Sequence, residues 1–427
     1  MKTDAETEFL GYDGTEATGE IISLYKEGKS VDTLVTGDEG AVILSSTPFY
    51  AESGGQIGDR GILVSDGQLF HVADTQKSGK ANVHFGIVEQ GELKVGDTVE
   101  SVVDAVRRQA IRLNHTATHL MHAALRQVLG DHVTQKGSLV APDRLRFDFS
   151  HYEGVTTEQI QEIEDLVNDE IRRNTTADTN LMSYDDAIES GAMALFGEKY
   201  GDKVRVLRVG DFSVELCGGT HVERTGDIGV FKITSEGGVA SGIRRIEAVT
   251  GKGAMDWIDA NLQTLGKLAS LLRSQPDQAA AKVEQLLRRS KDLEKALAAA
   301  KQALITGKGS DPFDGVEEVA GIKVLAKRMD GADARTLRDA VDKFKDKLQS
   351  AVVVLGSVDG GKVRLAAGVT KDNIGKINAG DLIKPVAEQV GGKGGGRADF
   401  AQAGGTDAGA LDQALESVAA WVAEQLA

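Results

Sequence analysis

The chain has 427 residues, of which 65 are acidic and 49 basic, so its formal net charge is −16 at pH 7. This length predicts several domains, and the acidic balance excludes a surface coated uniformly with basic charge, although it allows a local basic footprint for nucleic acid. The single cysteine excludes an intramolecular disulfide framework and favours a reducing compartment, the cytoplasm by default, and neither a signal peptide nor a run of ~20 apolar residues that could span a bilayer is recognisable.

The first predicted domain, residues 1–104, consists of short β-strands separated by glycine turns. Runs of β-forming residues lie at 41–44, 61–64, 69–72 and 83–88. Asp66-Gly67 is a hairpin turn signal between two of them, and together these features predict a small β-barrel. The glycine-dense stretch Thr47–Gly61 indicates either a backbone that lets a ligand come close or a plain barrel corner.

Residues 105–251 are predicted as an α+β domain. Apolar spacing predicts a helix over Ala105–Leu129, ended by Gly130, and a second helix near 156–173. Strands are predicted at 138–140, 145–149, 204–207, 213–216 and 229–233.

Residues 252–310 are predicted as a helical arm. Apolar residues recur in steps of three and four on both sides of Pro276, which marks a break between two helices. Two arrangements fit this pattern, an antiparallel hairpin within one chain and a coiled coil between two chains. Asp311–Gly315 is expected to end the arm.

The last predicted domain, residues 311–427, alternates strand and helix and is of α/β type. Strands are predicted at 322–326, 351–355 and 363–369, and helices at 334–348, 381–390 and 411–426. Between the last two helices, the glycine-rich run Gly391–Arg397 would free backbone N–H groups to meet phosphates. The fold class predicted for the whole chain is therefore α+β multidomain.

Two short motifs carry candidate metal ligands. His115 and His119 are four residues apart on one predicted helix face, and Cys217 and His221 follow a predicted strand. These nitrogen and sulfur donors suit one Zn²⁺ per chain. Four protein ligands are usual in a structural site, whereas a catalytic zinc keeps an open position, so both roles stay open. His122 is a further candidate ligand, but its apolar neighbours favour a packed helix residue.

Several motifs resemble alanyl-tRNA synthetase and follow the order of its translation-factor-like barrel and its editing domain. They are Gly11-Tyr12, Thr47–Gly61, Asn114–Leu120, Gln135–Ser138, Cys217–His221 and Gly242–Glu247. The helical arm and Gly391–Gly405 resemble its C-terminal domain, which some DHH-type phosphoesterases share. The full-length enzyme attaches alanine to tRNA(Ala) using ATP. The resemblance leaves no room for that aminoacylation core or an ATP site, so we expect a C-terminal half of the enzyme or a free-standing editing protein.

The resemblance implies hydrolysis of serine or glycine wrongly esterified to tRNA(Ala). Because a pocket for alanine cannot strongly reject these two amino acids, a second, hydrolytic site is needed. By the same resemblance, the four candidate ligands hold zinc, and Thr118 and Gln135 line the pocket as catalytic-site residues. From the residues alone, the preferred interpretation of Thr118 is a helix hydroxyl bonded to its own backbone, and that of Gln135 is a surface turn residue. No general base is identifiable.

Clustered basic residues are the expected tRNA contacts. Residues 102–150 carry seven Arg/Lys and four acidic side chains, a net charge of +3. Arg244 and Arg245 add to this side, and Lys393 and Arg397 lie in or beside the last glycine run. Surface ion pairs are the alternative interpretation of these cations.

Two other functions compete with editing of tRNA(Ala). The editing domain of threonyl-tRNA synthetase has both metal motifs, but the preceding barrel and the following arm disfavour it. The other candidate is a non-catalytic tRNA-binding and dimerisation module whose zinc is structural. A homodimer would form through the arm or the C-terminal domain, and no membrane partner is expected.

Overall fold

The computed structural model describes residues 3–194, 201–305 and 313–427. The chain divides into two compact units, Met1–Lys267 and Leu268–Ala427. Eight α-helices and a closed β-barrel occur in the described ranges, which confirms a multidomain α+β protein. No helix in these ranges is long and apolar enough to cross a membrane. The four-domain division and its boundaries stay a prediction.

The first unit begins with the barrel. Its strands are β1 Glu8–Phe9, β2 Glu16–Lys26, β3 Lys29–Val31, β4 Thr33–Val35, β5 Glu39–Leu44, β6 Ser46–Thr47, β7 Gly61–Ser65, β8 Gln68–Ser78, β9 Ala81–Gln90, β10 Glu92–Lys94 and β11 Thr98–Val103. β11 pairs with both β7 and β2, which closes the order β11-β7-β8-β9-β5-β2 without free edges. Gly67, at φ +73°, forms the expected tight turn between β7 and β8. Phe70, Val42 and Val88 fill the barrel core.

An α+β segment follows the barrel in the same unit. Its elements are α1 Ala105–Leu129, β12 Gln135–Val140, β13 Leu145–Ser150, α2 Thr157–Arg173, β14 Ala177–Ser183, α3 Tyr184–Glu189, β15 Lys203–Val209, β16 Ser213–Leu216, β17 Phe231–Ala240 and β18 Ile243–Thr250. The sheet β12-β13-β18-β17 packs on α1 and α2 around Phe147 and Leu120, and β14-β15-β16 form a second sheet. Asp104 caps α1 through Arg107 N–H, and Thr156 with Gln159 forms a capping box on α2.

The structure differs from the predicted strands of this segment at three places. The predictions lack β18, Ile243–Thr250, which lies between β13 and β17 in the four-stranded sheet. The strand expected at 229–233 begins only at Phe231 and continues to Ala240, because Gly229 turns at φ +75° after a 3-10 helix, Thr225–Ile228. The predictions also missed β14, whose polar residues give no alternating apolar pattern and lie mostly exposed.

A buried ion pair joins the barrel to α1. Arg108 is 1% exposed, and its Nε donates to both carboxylate oxygens of Asp59 at 3.0 and 2.9 Å. Its two Nη atoms donate to the carbonyls of Gly11 and Pro48 at 2.9 and 2.7 Å. With a further bond from Nη2 to Asp59, four of the five guanidinium N–H groups have acceptors, which fixes α1 against three segments of the barrel.

Two helices form the predicted arm, α4 Gly251–Leu272 and α5 Ala279–Ile305. The expected break is confirmed, because Pro276 starts a short 3-10 helix between them. Several arm leucines are exposed, among them Leu262, Leu271, Leu287 and Leu293. The expected end at Asp311–Gly315 lies partly outside the described residues.

After the arm helices, the rest of the second unit alternates strand and helix. Its elements are β19 Val316–Val319, β20 Ile322–Arg328, α6 Ala334–Leu348, β21 Ala351–Asp359, β22 Lys362–Val369, α7 Ala379–Gln389, β23 Lys393–Gly396, β24 Phe400–Gly405 and α8 Leu411–Leu426. The sheet order is β19-β20-β21-β22-β24-β23, and α6 connects the parallel pair β20 and β21. One apolar cluster joins α7 and α8 to the sheet, and another joins α6 to it.

The last glycine run is a strand in the structure. Instead of forming an open loop, Lys393–Gly396 pairs with β24 at the edge of the sheet. A side chain at Gly394 would meet Ala403, and one at Gly396 would meet Ala401. At these two positions the glycines therefore permit close approach of two strands.

Candidate metal centre and its pocket

The four predicted metal ligands come together in the first unit. His115 and His119 lie one turn apart on α1, and the segment after β16 brings Cys217 and His221 against them. Their ligand atoms all lie within 4.8 Å of one another. Cys217 Sγ is 3.5 Å from His115 Nε2 and 3.2 Å from His221 Nε2. In tetrahedral zinc sites, bond lengths of 2.0–2.3 Å place neighbouring ligand atoms about 3.4–3.8 Å apart, so this cluster has suitable dimensions.

Two buried acceptors orient the helix histidines. His115 Nδ1 lies 2.8 Å from Gln56 Oε1, and His119 Nδ1 lies 2.8 Å from Glu215 Oε2. Because an amide oxygen and a carboxylate can only accept, each histidine donates from Nδ1, and Nε2 is the nitrogen left to bind a metal ion. His119 Nε2 is buried and has no hydrogen-bond partner. Such an orphaned nitrogen costs free energy unless something binds it, and a metal ion in the cluster would do so.

The third histidine is held in the same way. Thr116 Oγ1 donates to the Arg112 carbonyl at 3.0 Å, so its lone pairs are left to accept from His221 Nδ1 at 3.3 Å. His221 therefore also directs Nε2 towards Cys217 Sγ. The chemistry of the donor set thus fits a zinc ion held by His115, His119, Cys217 and His221, which we call the metal cluster.

At Cys217 and His221, burial and the neighbouring charges act on the pKa in opposite directions. Burial opposes the thiolate of Cys217, but the combined attraction of the three histidines lowers the pKa of this thiol well below its usual value. Burial lowers the pKa of His221 to about 3, so its imidazole is neutral at pH 7. Burial opposes the charged form of His119, but the charges of Glu215 and Cys217 raise the pKa of this imidazole well above its usual value. Zinc binding would therefore displace a proton from His119.

A pocket of about 540 Å³ opens beside the metal cluster, which forms part of its lining. Thr118 and Gln135, the two residues that the resemblance suggests as catalytic-site residues, both line this pocket. Thr118 Oγ1 also donates to the Asn114 carbonyl at 2.8 Å, so the alternative interpretation of a backbone-bonded hydroxyl is correct as well. His122 lies outside the metal cluster: it is 2% exposed, and its Nδ1 donates to Glu215 at 3.3 Å.

The barrel supplies one side of the pocket. Phe9, Tyr12 and Tyr50, which we call the aromatic wall, all line it. Tyr12 Oη donates to the Gly218 carbonyl at 2.7 Å, and burial raises the pKa of this phenol. The guanidinium of Arg205 lies 3.7 Å from the centre of the Tyr12 ring and donates to the Gly219 carbonyl at 2.6 Å. The barrel is thereby attached to the segment that carries Cys217.

The four predicted tRNA contacts differ in whether their side chains form ion pairs. Arg244 pairs with Glu236 at 2.6 and 2.7 Å, and Arg245 with Asp148 at 2.6 and 2.8 Å. In the second unit, Arg397 pairs with Asp399 at 2.9 and 3.1 Å. Lys393 is exposed and has no charged partner among the described residues. The alternative of surface ion pairs thus describes three of the four cations.

Sequence reasoning missed the two residues that orient the helix histidines. Gln56 lies within the glycine-dense stretch Thr47–Gly61, but nothing in the sequence indicates which distant side chain it contacts. Glu215 is an acidic residue on an otherwise apolar strand, two positions before the cysteine. A buried acid in such a strand needs a partner, and this is the signal that could have identified it.

Comparisons with known families match three parts of the chain. Residues 1–107 match the class II (A) tRNA synthetases, residues 204–247 match the threonyl and alanyl tRNA synthetase second additional domain, and residues 321–424 match the DHHA1 domain. The matches therefore fall in the barrel, in the segment that carries Cys217 and His221, and in the second unit.

Curated relatives extend the similarity over the whole chain. The alanine–tRNA ligase of Shewanella loihica is 54% identical over 427 residues, which is 100% of this chain and 49% of the relative. The alanine–tRNA ligase of Halorhodospira halophila is 54% identical, and the match covers 99% of this chain and 49% of the relative. The alanine–tRNA ligase of Saccharophagus degradans is 53% identical, and the match covers 98% of this chain and 48% of the relative. The chain thus spans about half the length of the curated relatives it matches.

A solved structure, the C-Ala domain from Aquifex aeolicus alanyl-tRNA synthetase, is 28% identical to the part of this chain it matches. The match covers 25% of this chain and 97% of that domain, with a TM-score of 0.25.

Proposed function

Since the chain belongs to the alanyl-tRNA synthetase family, we propose that it is an aminoacyl-tRNA editing hydrolase that releases serine or glycine from mischarged tRNA(Ala). The observation that carries this proposal is the metal cluster, of which His115, His119 and Cys217 line a pocket together with Thr118 and Gln135. We propose zinc as the ion, tRNA(Ala) as the partner and the cytoplasm as the compartment. Zinc bound there would polarise the ester carbonyl or lower the pKa of a bound water.

The pocket residues supply selectivity. Because the Thr118 hydroxyl proton is directed to the Asn114 carbonyl, lone pairs of its oxygen are what remain for a ligand in the pocket. A seryl hydroxyl can donate to this oxygen, whereas an alanyl methyl group would desolvate it without a hydrogen bond. Such an unpaired polar group is the kind of penalty that discriminates strongly between similar substrates. Gln135 offers an amide donor and acceptor to the same ligand.

Release of serine from mischarged tRNA(Ala) by the zinc-loaded chain is the decisive test. We expect rapid release of serine and little release of alanine. The Cys217→Ala variant should lose zinc and should hydrolyse the serine ester about a hundredfold more slowly or worse, which corresponds to several kcal/mol of transition-state stabilisation. Circular dichroism and tRNA binding of the variant serve as controls.

The outcomes separate the two candidate functions. If zinc is bound, tRNA is in excess and no serine is released, the editing proposal is wrong. If Cys217→Ala instead unfolds the first unit, the non-catalytic module with a structural zinc is supported. Retained folding with lost hydrolysis supports a zinc that serves the reaction.

A further inference from the structure

The pocket is much larger than the amino acid that the proposed function would place in it. A seryl or glycyl group has roughly the bulk of a few water molecules, each about 30 Å³ in the liquid, whereas the pocket holds about 540 Å³. The remaining space leaves room for a second group, and the proposed ester offers one. The amino acid is attached to the ribose of the 3′-terminal adenosine of the RNA.

The aromatic wall is suited to a nucleoside. Phe9 and Tyr12 meet edge-to-face with ring centres 4.8 Å apart, and Phe9 and Tyr50 meet similarly at 5.9 Å. Tyr12 is 40% exposed although it is held by Gly218 and Arg205, Phe9 is half-buried, and Tyr50 is 7% exposed at the base of the wall. Rigid, partly exposed rings are the surfaces on which single-stranded nucleotides pack without base-specific hydrogen bonds.

Unpaired positive charge lies beside this wall. Lys77 at the end of β8 and Lys203 at the start of β15 both line the pocket and are exposed. Neither has a hydrogen bond or ion pair from its side chain within the described part of the chain. Arg205, by contrast, is committed to Gly219, Thr179 and the Tyr12 ring. The two lysines are therefore the cations that a phosphate could engage.

The charge balance of the pocket is the reverse of that of the chain. Among the described lining residues, Glu215 is the only acid, and it is 2% exposed and bonded to His119 and His122. The lining thus presents cations to a ligand in a chain with a net charge of −16. Such a local excess attracts anions and raises their concentration at the site.

We propose that the barrel side of this pocket is the subsite for the 3′-terminal nucleotide of the RNA substrate, with its nucleoside against Phe9, Tyr12 and Tyr50 and its phosphate between Lys77 and Lys203. This inference rests on the proposed function, because the ester fixes which nucleotide enters. It gives the barrel a direct part in substrate binding.

The phosphate contact is tested with substrates of increasing length. Hydrolysis is compared for seryl-adenosine, which lacks the phosphate, for a seryl-CpA dinucleotide, which carries it, and for serine on tRNA(Ala). In Lys77→Ala and Lys203→Ala, the ratio of kcat/KM on the dinucleotide to kcat/KM on the adenosine ester should fall about tenfold. Lys77→Arg keeps the positive charge, so its ratio of the two kcat/KM values should stay close to that of the wild-type chain. Lys80→Ala is the matched control, since Lys80 is an exposed lysine on the same hairpin and pairs only with Glu6.

The nucleoside contact has its own pair of variants. Tyr12→Leu removes the ring, whereas Tyr12→Phe removes only the hydrogen bond to Gly218. The proposal predicts that KM for seryl-adenosine rises about tenfold in Tyr12→Leu and much less in Tyr12→Phe. Equal effects of the two substitutions would mean that the phenol acts through the Gly218 contact, and the nucleoside subsite would be wrong.

Failure of the subsite and failure of the proposed function are distinguishable. If the wild-type chain hydrolyses all three esters and the ratio is unchanged in both lysine variants, the phosphate subsite is wrong while editing stands. If the wild-type chain hydrolyses none, equilibrium binding of unesterified CpA decides. Binding that is weakened by Lys77→Ala and Lys203→Ala but not by Lys80→Ala supports the subsite, and no measurable binding to the wild-type chain overturns it.

Discussion

Gln56 is the side chain through which the barrel reaches the metal cluster. It is fully buried, its oxygen accepts from His115 Nδ1 at 2.8 Å and from Thr220 N–H at 2.9 Å, and its amide donates to Thr220 Oγ1 at 3.0 Å. Residue 219 must be glycine in this arrangement, because a Cβ atom added at this position would clash with the His115 ring. The orientation of one ligand is thus set by a residue from a different part of the first unit.

Replacing Gln56 with leucine should weaken zinc binding about 10- to 100-fold, because His115 would lose the acceptor that fixes its tautomer and ring orientation. Competition with a chromophoric chelator measures the affinity, and the Co²⁺ spectrum reports the ligand geometry. Gln135→Leu is the matched control. Gln135 lines the pocket but has no hydrogen bond to any of the four metal ligands, so zinc affinity should persist. Wild-type affinity and spectrum in Gln56→Leu would contradict this role.

The sequence predicted the ligands of this site but not the residues that support them. A four-residue spacing on a helix places His115 and His119 on one face whatever the rest of the fold does, so local periodicity is sufficient. Gln56 and Glu215 reach the histidines across 59 and 96 residues of chain. Such contacts depend on tertiary packing, and no local pattern encodes them.

At the level of elements, the junction between the barrel and α1 decides whether the pocket exists. Arg108 and Asp59 are both almost fully buried, and Arg108 also binds the carbonyls of Gly11 and Pro48. Arg108→Met should therefore destabilise the first unit by about 3–5 kcal/mol, because it leaves an uncompensated buried carboxylate. Native-state hydrogen exchange of the α1 amides measures this loss locally.

Two further variants test that explanation. Arg107→Met removes a neighbouring arginine whose side chain makes one bond to the Gly58 carbonyl at 2.9 Å, and should cost only about 0.5–1.5 kcal/mol. Adding Asp59→Leu to Arg108→Met should recover part of the loss, since no buried charge is then left alone. A single Arg108→Met variant as stable as Arg107→Met would show that the ion pair is not what holds the junction.

Element prediction succeeded where one face of an element is apolar. The helices α1, α2, α6 and α8 bury regular stripes, and β21 begins with a continuous run of buried apolar residues. It failed at β14, which is polar and mostly exposed, and at β23, where glycines allow two strands to approach closely. In both cases the segment is a strand because it pairs with a neighbouring strand, and its side-chain pattern does not indicate this.

At the level of the whole molecule, an acidic chain that binds RNA must do so through a few free cations. Lys393 is the one predicted contact without a charged partner among the described residues, whereas Arg397 is paired with Asp399. Affinity for tRNA(Ala) should fall as salt rises, because each phosphate neutralised by a cation releases counterions. Lys393→Ala should reduce the slope of log K against log salt by about 1.

The matched control for Lys393 is a substitution that conserves net charge. Arg397→Ala combined with Asp399→Ala removes both members of an ion pair, so the slope should stay near the wild-type value if Arg397 is committed to Asp399. A wild-type slope in Lys393→Ala would exclude this lysine as a phosphate contact. A slope reduced by about 1 in the double variant would mean that Arg397 leaves Asp399 to bind RNA, and the edge strand β23 would then carry two contacts instead of one.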